Sequence, residues 1–393
     1  MSKQIVFVNS VFPCLSETFI FDQFTTLRQG GLSFRIVSNH RPDPAQVHPR
    51  MRNIQTEVDY LCEASLMEVF KAHLSCFFRH PFRYGRALWQ LVRADERLKT
   101  SLAHISGAVL ILHRYGRGSE LHIHTHFTYG GTAVALWLQR LSSTPYSITL
   151  HGSDLIYDNP PDLKEKLENA AGIVSISRFN VDFLAKNFPK IDLARTEIIR
   201  MGVPKLLQSD PRPSRKGGVR ILNVGRLSVH KAQHDLIDAC ALLRDRGIDF
   251  LCTIVGEGEL RHDLEQQIQD RQLTSLVELT GAKFHQEVLA LYGQYDLFVL
   301  CSITEGQPVV LMEAMRAGIP VISTQISAIP ELVQDAGILV PPSSPVAIAD
   351  AIEHGLASGR FNPSRGQQIV QEEYEIETNT RKFQQYLERF AQQ

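Results

Sequence analysis

The chain has 393 residues, 44% of them apolar and 21% charged, with a formal net charge of -1. That length exceeds what one hydrophobic core usually serves, so two domains are expected. The near-zero charge excludes a broadly basic nucleic-acid-binding surface. The opening apolar run, Ile5 to Val8, is too brief for a signal-peptide core, and no stretch approaches the roughly 18 apolar residues of a spanning helix. A cytoplasmic protein is expected unless something holds it at a membrane surface. Six cysteines, Cys14, Cys62, Cys76, Cys240, Cys252 and Cys301, form no C-x-x-C pair, so they read as buried free thiols.

In chain order, short β-rich runs alternate with helical patterns, the signature of βαβ units around parallel sheets. The first half predicts strands at Gln4 to Asn9, Ser33 to Ser38, Leu121 to Thr125, Tyr146 to Leu150, Ile173 to Ser177 and Glu197 to Arg200. Amphipathic helices at Thr18 to Gln29 and Gly131 to Leu141 lie among them. Residues 205–218, with Pro211, Pro213, Gly217 and Gly218, break the pattern and read as a linker between domains 1–204 and 219–365. Strands then resume at Val219 to Val224, Phe250 to Val255, Val277 to Leu279, Leu297 to Leu300, Val321 to Ser323 and Ile338 to Val340, with a helix from about Gln233. Residues 366–393 read as one closing amphipathic helix. The expected fold class is α/β, two Rossmann-like doubly wound domains.

Open α/β sheets bind ligands beyond the carboxyl ends of their strands, so polar residues just after strands are the site candidates. After Val219 to Val224 comes Gly225-Arg226-Leu227-Ser228, with Lys231 where the next helix begins. Two permanent cations at a strand end and a helix N-terminus make an anion site suited to phosphates. After Leu297 to Leu300 comes Glu305-Gly306-Gln307-Pro308-Val309-Val310, then Glu313. Pro308 suits the first turn of a helix, which places Glu305 in the loop and Glu313 about two turns later on roughly the same face. Ionised carboxylates are bidentate acceptors for cis-diols, so Glu313 is expected on a ribose and Glu305 near a sugar. No G-x-G-x-x-G follows the first strand of either half, against a nicotinamide-dependent oxidoreductase.

The runs G-R-L-S-V-H-K, Ile254-Val-Gly-Glu-Gly-Glu-Leu260, E-G-Q-P-V-V-L-M-E-A-M-R-A-G-I-P-V-I-S-T, Ile329-Pro-Glu-Leu-Val333 and Gly337-Ile-Leu-Val-Pro341 resemble the retaining glycosyltransferases of family 4. The resemblance covers essentially the whole second domain. It implies the GT-B fold, with two Rossmann-like domains facing a central cleft, a nucleotide-diphosphate sugar donor, no metal or other cofactor, and retention of anomeric configuration. A UDP-hexose is expected ahead of a GDP-hexose. By the same resemblance Arg226 and Lys231 meet the diphosphate, Glu305 the hexose and Glu313 the ribose. The backbone of Gly306, Gln307, Pro308, Val309 and Val310 surrounds the phosphates. Two departures stand out: Ala232 where glycine is usual, and Val309 where asparagine or glycine is common.

In the first half, Tyr146 to Leu150 delivers His151-Gly152-Ser153-Asp154 to a strand end, and the resemblance implies a catalytic or donor-orienting His151. His122, His124 and His126 alternate along one strand face; a metal site is disfavoured because no carboxylate cluster accompanies them, and His126 is the one expected at the cleft. Phe12-Pro13-Cys14-Leu15-Ser16-Glu17-Thr18-Phe19-Ile20 follows the first strand, where Ser16 or Thr18 can cap the next helix with Glu17 in its first turn. This run is similar to a subgroup of family 4 associated with bacterial exopolysaccharide and colanic-acid assembly, which puts Ser16, Glu17, Thr18 and Asp154 on the acceptor side. Residues 69–99 hold seven lysines and arginines against two acids, interleaved with Phe70, Phe77, Phe78, Phe82 and Trp89. They read either as a peripheral contact with an anionic membrane or as helices packing their aromatics inside.

The expected activity is transfer of a hexose from a nucleotide sugar to a hydroxyl of a glycan or lipid-linked saccharide in surface polysaccharide assembly. Alternatives on the same scaffold are a sugar-nucleotide epimerase, a phosphorylase or a non-catalytic partner subunit.

Overall fold

The computed structural model describes residues 3–14, 17–44, 47–93, 98–158, 160–204 and 218–392. It divides into two units, 1–200 with 376–393, and 201–375. The expected linker, 205–218, lies outside the described residues except for Gly218.

The first unit is built on strands β1 (Gln4–Val11), β2 (Phe34–His40), β3 (Val58–Tyr60), β4 (Leu121–His126), β5 (Tyr146–Leu150), β6 (Gly172–Ser175) and β7 (Thr196–Ile198). All pair in parallel, in the order β3-β2-β1-β4-β5-β6-β7. The second unit carries β8 (Val219–Val224), β9 (Phe250–Val255), β10 (Val277–Leu279), β11 (Leu297–Leu300), β12 (Val321–Thr324) and β13 (Ile338–Val340). These are also parallel, in the order β10-β9-β8-β11-β12-β13. Central strands such as β5 and β11 are buried at every position, because helices cover both faces of a parallel sheet.

The strand order reverses direction between β1 and β4 in one sheet, and between β8 and β11 in the other. Loops leaving the carboxyl ends of those neighbours turn to opposite sides and leave a crevice, the usual ligand position in such sheets.

Three expectations need correction. Strand β3 was not anticipated, since Val58-Asp59-Tyr60 is a short edge strand with no apolar run. The expected closing helix of 366–393 is two helices, Pro363–Glu373 and Ile376–Gln392, broken at Tyr374 and Glu375. Tyr374 is fully buried and its carbonyl accepts the Val203 amide at 2.9 Å, while Glu375 bridges to Val203. That anchorage stops the first helix and keeps it in the second unit. The last helix returns to the first unit, burying Phe383, Tyr386 and Leu387 beside Ile5, Phe7 and Phe24. Third, Glu17 itself occupies the N-cap of the helix Thr18–Gln29 and makes no side-chain capping bond, in place of the expected Ser16 or Thr18 cap. Ser16 lies outside the described residues.

Candidate active site

In the second unit, β8 ends at Val224 and the chain runs through Gly225 and Arg226 to a single turn, Val229–Lys231. Next, Ala232 adopts φ +50°, the left-handed region that glycine enters without cost, and begins the helix Gln233–Asp245. The departure from glycine noted in the sequence therefore falls at a strained position. It is fully buried there. The Gly-Glu-Gly run after β9 lies against this loop: the Leu227 amide donates to the Glu257 carbonyl at 2.9 Å. A Cβ on Gly256 would meet the Gly225 carbonyl oxygen at 1.9 Å, and one on Gly258 the Leu227 oxygen at 2.1 Å. These glycines set the height of the loop that presents Lys231.

The loop after β11 joins the loop after β8. The Ile303 amide donates to the His230 carbonyl at 2.9 Å, and the Cys301 thiol to the carbonyls of Lys231 and Ala232 at 3.3 and 3.1 Å. Across this seam Lys231 forms an ion pair with Glu305, whose side chain is only 9% exposed against 24% for the lysine. The Ser302 hydroxyl donates to the same Glu305 oxygen at 2.7 Å. Beyond Glu305 the helix Val309–Arg316 begins, with Pro308 as its extended N-cap residue rather than inside its first turn. Its leading amides have no intrahelical acceptor, and its dipole places partial positive charge at that end. A cation, a carboxylate and a helix N-terminus thus gather at the β8/β11 switch point.

Glu313 follows a little over one turn into this helix rather than two, and is buried. One carboxylate oxygen pairs with His285 Nε2 at 2.6 Å, and the other accepts from the Tyr292 hydroxyl at 3.1 Å. Burial first, then the charge of Glu313, drives the Tyr292 hydroxyl well above its ordinary pKa, so it stays a donor. Neither His285 nor Tyr292 was identified from the sequence. They come from opposite ends of the helix His285–Tyr292, seven residues apart on one face, which is the only signal they leave. The Gln307 side-chain oxygen accepts the Met201 amide at 2.8 Å, a bond that holds the start of this unit. Arg226 does not join Lys231 on Glu305: it is 74% exposed and pairs with Glu259 at 3.4 Å. A long side chain leaving a strand end is free to choose its direction, and sequence position alone did not fix it.

In the first unit a second polar group forms where β4 and β5 end. His126 Nδ1 lies 3.1 Å from His151 Nε2, both rings being buried. Asp154 ties the two loops together, accepting the Thr128 amide at 2.9 Å and the His151 amide at 3.0 Å. Gly152 between them has φ +99°, which a side chain would resist. Burial raises the Asp154 carboxyl to about 7 against the pull of those amides, and raises Glu17 to about 7. Burial lowers His126 to about 3 and holds His151 well below the ordinary histidine range, so both rings are neutral at pH 7. His126 Nε2 has no partner among the described residues. A buried lone pair left unpaired costs less than a buried N–H, so His126 Nδ1–H donates to His151 Nε2 and the His151 proton sits on Nδ1. Phe127 and Phe19 flank His151, ring centroids at 4.2 and 5.1 Å, which brings the start of the helix holding Thr18 beside it.

His122 and His124 go elsewhere, both bonding the Ser147 hydroxyl on β5, at 2.8 and 2.7 Å, and His124 also reaching Thr149 at 2.9 Å. His122 stacks on Phe390. They are hydrogen-bonded core residues under the last helix. Among the described residues no group of three histidines, cysteines or acids is placed to hold a metal ion.

Residues 207–370 match the Glycosyl transferases group 1 model. The chain is 28% identical over 365 residues to WcaL of Escherichia coli, whose name assigns it provisionally to colanic acid biosynthesis as a glycosyltransferase; the match covers 87% of each chain. It is 27% identical over 379 residues to the amylovoran biosynthesis glycosyltransferase AmsK of Erwinia amylovora, covering 88% of this chain and 89% of that one. The fold is similar to that of Anabaena HepE solved with UDP-glucose, TM-score 0.69 at 17% identity over 98% and 99% of the two chains. A likeness at that identity speaks for the fold, which is GT-B.

Proposed function

We propose that this group 1 glycosyl transferase carries a hexose from a nucleotide-diphosphate donor, UDP-linked ahead of GDP-linked, to a saccharide hydroxyl with retention of anomeric configuration. The observation that carries the reading is the Lys231–Glu305 pair at the β8/β11 switch point, beside the N-terminus of the helix Val309–Arg316. As the bond from the anomeric carbon to the phosphate oxygen breaks, negative charge grows on the diphosphate, and preformed positive groups stabilise it most in the transition state. Lys231 and the helix amides supply that charge, and Arg226, exposed on the same loop, swings from Glu259 to add to it. Glu305 orients the hexose hydroxyls and Glu313 the ribose diol. The acceptor oxygen attacks the anomeric carbon on the face the phosphate leaves, and its proton passes to the departing phosphate oxygen, so configuration is kept.

On the acceptor side, neutral His151 offers Nδ1–H as a hydrogen-bond donor to a sugar or acceptor oxygen. Glu17 and Thr18 precede Phe19, whose ring packs on His151. Asp154 acts on His151 through its amide. The relatives named for colanic acid and amylovoran biosynthesis favour a growing surface polysaccharide, or its lipid-linked precursor, as acceptor.

The test is a panel of UDP- and GDP-hexoses screened for thermal stabilisation, followed by proton NMR of the product formed from the best donor. Transfer with the donor's anomeric configuration is expected; an inverted product, or no transfer from any sugar nucleotide, overturns the reading. Glu305→Ala and Lys231→Ala are each expected to abolish transfer, and near-normal turnover in either removes that assignment.

A further inference from the structure

The helices Leu66–Arg79 and Pro81–Arg93 of the first unit bury only a narrow stripe, Ala72, Cys76, Ala87 and Leu91. Their other faces leave large apolar side chains in solvent: Phe82 is 92% exposed, Phe78 71%, Phe70 63% and Trp89 54%. Of the two readings of this segment, that of aromatics packed inside fails for these four. Large apolar side chains exposed together on two consecutive helices mark an interaction site.

The charge on the face is of one sign. From Val69 to Ala94 the sequence holds no acidic residue. Lys71, Arg79, Arg83 and Arg86 are all exposed, and none forms an ion pair among the described residues. Glu68 and Asp59 share Arg114, and Glu165 pairs with Arg140. Beside the first helix lies a hollow of about 380 Å³ with Arg79 and Arg117 in its lining, room and charge for a phosphate headgroup. Aromatic side chains between unpaired cations on a surface helix are what holds a protein in the headgroup layer of an anionic bilayer.

We propose that these two helices dock the chain on an anionic lipid bilayer, with Phe70, Phe78, Phe82 and Trp89 at the acyl boundary and Lys71, Arg79, Arg83 and Arg86 among the headgroups. A second copy of the chain is a poorer occupant, because a two-fold contact sets four cations against the same four. No helix among the described residues is long and apolar enough to cross a membrane, so this contact is peripheral. The proposal stands apart from the donor chemistry and does not need it.

The full chain is sedimented with phosphatidylcholine vesicles with and without phosphatidylglycerol. Each cation near an anionic leaflet is worth about a fivefold factor in partitioning, so changing all four to glutamine lowers binding on the order of 10² to 10³-fold. F82S and W89S are expected to lose about tenfold each. Trp89 is exposed while the other tryptophan, Trp137, is buried, so a blue shift of emission on anionic vesicles reports insertion in the unaltered chain without depending on any variant's folding. Absence of both sedimentation and blue shift overturns the proposal, as does binding indifferent to vesicle charge. A dimer in analytical ultracentrifugation that F82S abolishes, with vesicles ignored, overturns it in favour of self-association.

Discussion

Replacing Lys231 by methionine keeps most of the side chain's length and removes one charge of the pair with Glu305. The carboxylate left behind is 9% exposed and keeps one donor, the Ser302 hydroxyl at 2.7 Å. Breaking a buried pair costs about 3–5 kcal/mol, and the remaining donor, with a lysine that was itself 24% exposed, sets the low end, about 3. For a unit of this size each kcal/mol moves Tm by about 2–4 °C, so Lys231→Met lowers the melting of the second unit by about 6–12 °C. The reverse change, Glu305→Gln, leaves an ammonium that reaches water and an amide oxygen that still accepts, at about 1 kcal/mol and 2–4 °C. The double variant strands no charge and recovers at least about 1 kcal/mol relative to the sum of the singles. Calorimetry without donor, with hydrogen exchange of β8 amides assigning the transition, reads all three proteins, while transfer falls at least about 10²-fold in each single variant. If Lys231→Met melts within about 2 °C of the parent, or Glu305→Gln melts below Lys231→Met, the pair is not the buried contact described above and the placement of the donor phosphate fails with it.

Two further outcomes follow from the same physics. Tyr292→Phe removes a hydroxyl bonded to a buried carboxylate, about 1.5–3 kcal/mol, and frees Glu313 to turn; the donor KM rises about tenfold with kcat little changed, and an unchanged KM separates Glu313 from the ribose. The first unit loses stability on acidification. Burial holds His122 and His126 down to about 3, and His124 and His151 well below the ordinary range. A base with a lowered folded pKa stabilises above its unfolded value of about 6.5, and that contribution drains as pH falls below it. Asp154 and Glu17, raised to about 7, act the other way, gaining stability as pH falls from 7 toward about 4. His104, lowered to about 4 by burial, adds a fifth base, and five bases against two acids leave a net of about three protons, about 4 kcal/mol per pH unit between pH 6 and 4.5. Urea unfolding followed by Trp137 emission across that range measures it, and a midpoint that holds steady or rises on acidification contradicts the neutral histidine cluster.

Most strands were legible because each is a short apolar run ended by a turn: Val219 to Val224, Tyr146 to Leu150 and Leu297 to Leu300 coincide with β8, β5 and β11. The meeting of Lys231 and Glu305 was legible because both lie just past strand ends, and strand order made their loops neighbours. The supporting residues were not. His285 and Tyr292 lie on a helix that precedes β11 and carry no spacing tied to Glu313, so only packing reveals them. The break at Tyr374 was invisible for a similar reason: its apolar period runs on smoothly, and what ends the helix is a bond to Val203, far back in the chain. Periodicity reports which face of an element is buried. It does not report what the element is buried against.

The two sheets reach similar solutions with opposite electrostatics. At the β8/β11 reversal the residues brought together are charged, Lys231 against Glu305, with a helix N-terminus adding positive potential. Where β4 and β5 end, burial has taken the charge away: His126 and His151 are neutral, and Asp154 is held near neutrality by the cost of ionising inside the protein. A diphosphate needs charge that is already in place, since reorganising solvent around a growing dianion costs most of what binding supplies. A sugar hydroxyl needs only a fixed donor or acceptor, and a neutral imidazole oriented by its neighbours provides one without attracting the phosphate. Under the proposed function, that division puts the donor's anionic end at the second unit and hydroxyl recognition at the first. It also predicts the sign of a swap: His151→Lys, which installs a cation among neutral groups, weakens acceptor use and destabilises the first unit, yet leaves the affinity of the isolated nucleotide diphosphate unchanged within about threefold in calorimetric titration. A tenfold gain in that affinity would mean that the histidine ring already faces the phosphates, and the division of labour between the sheets would be wrong.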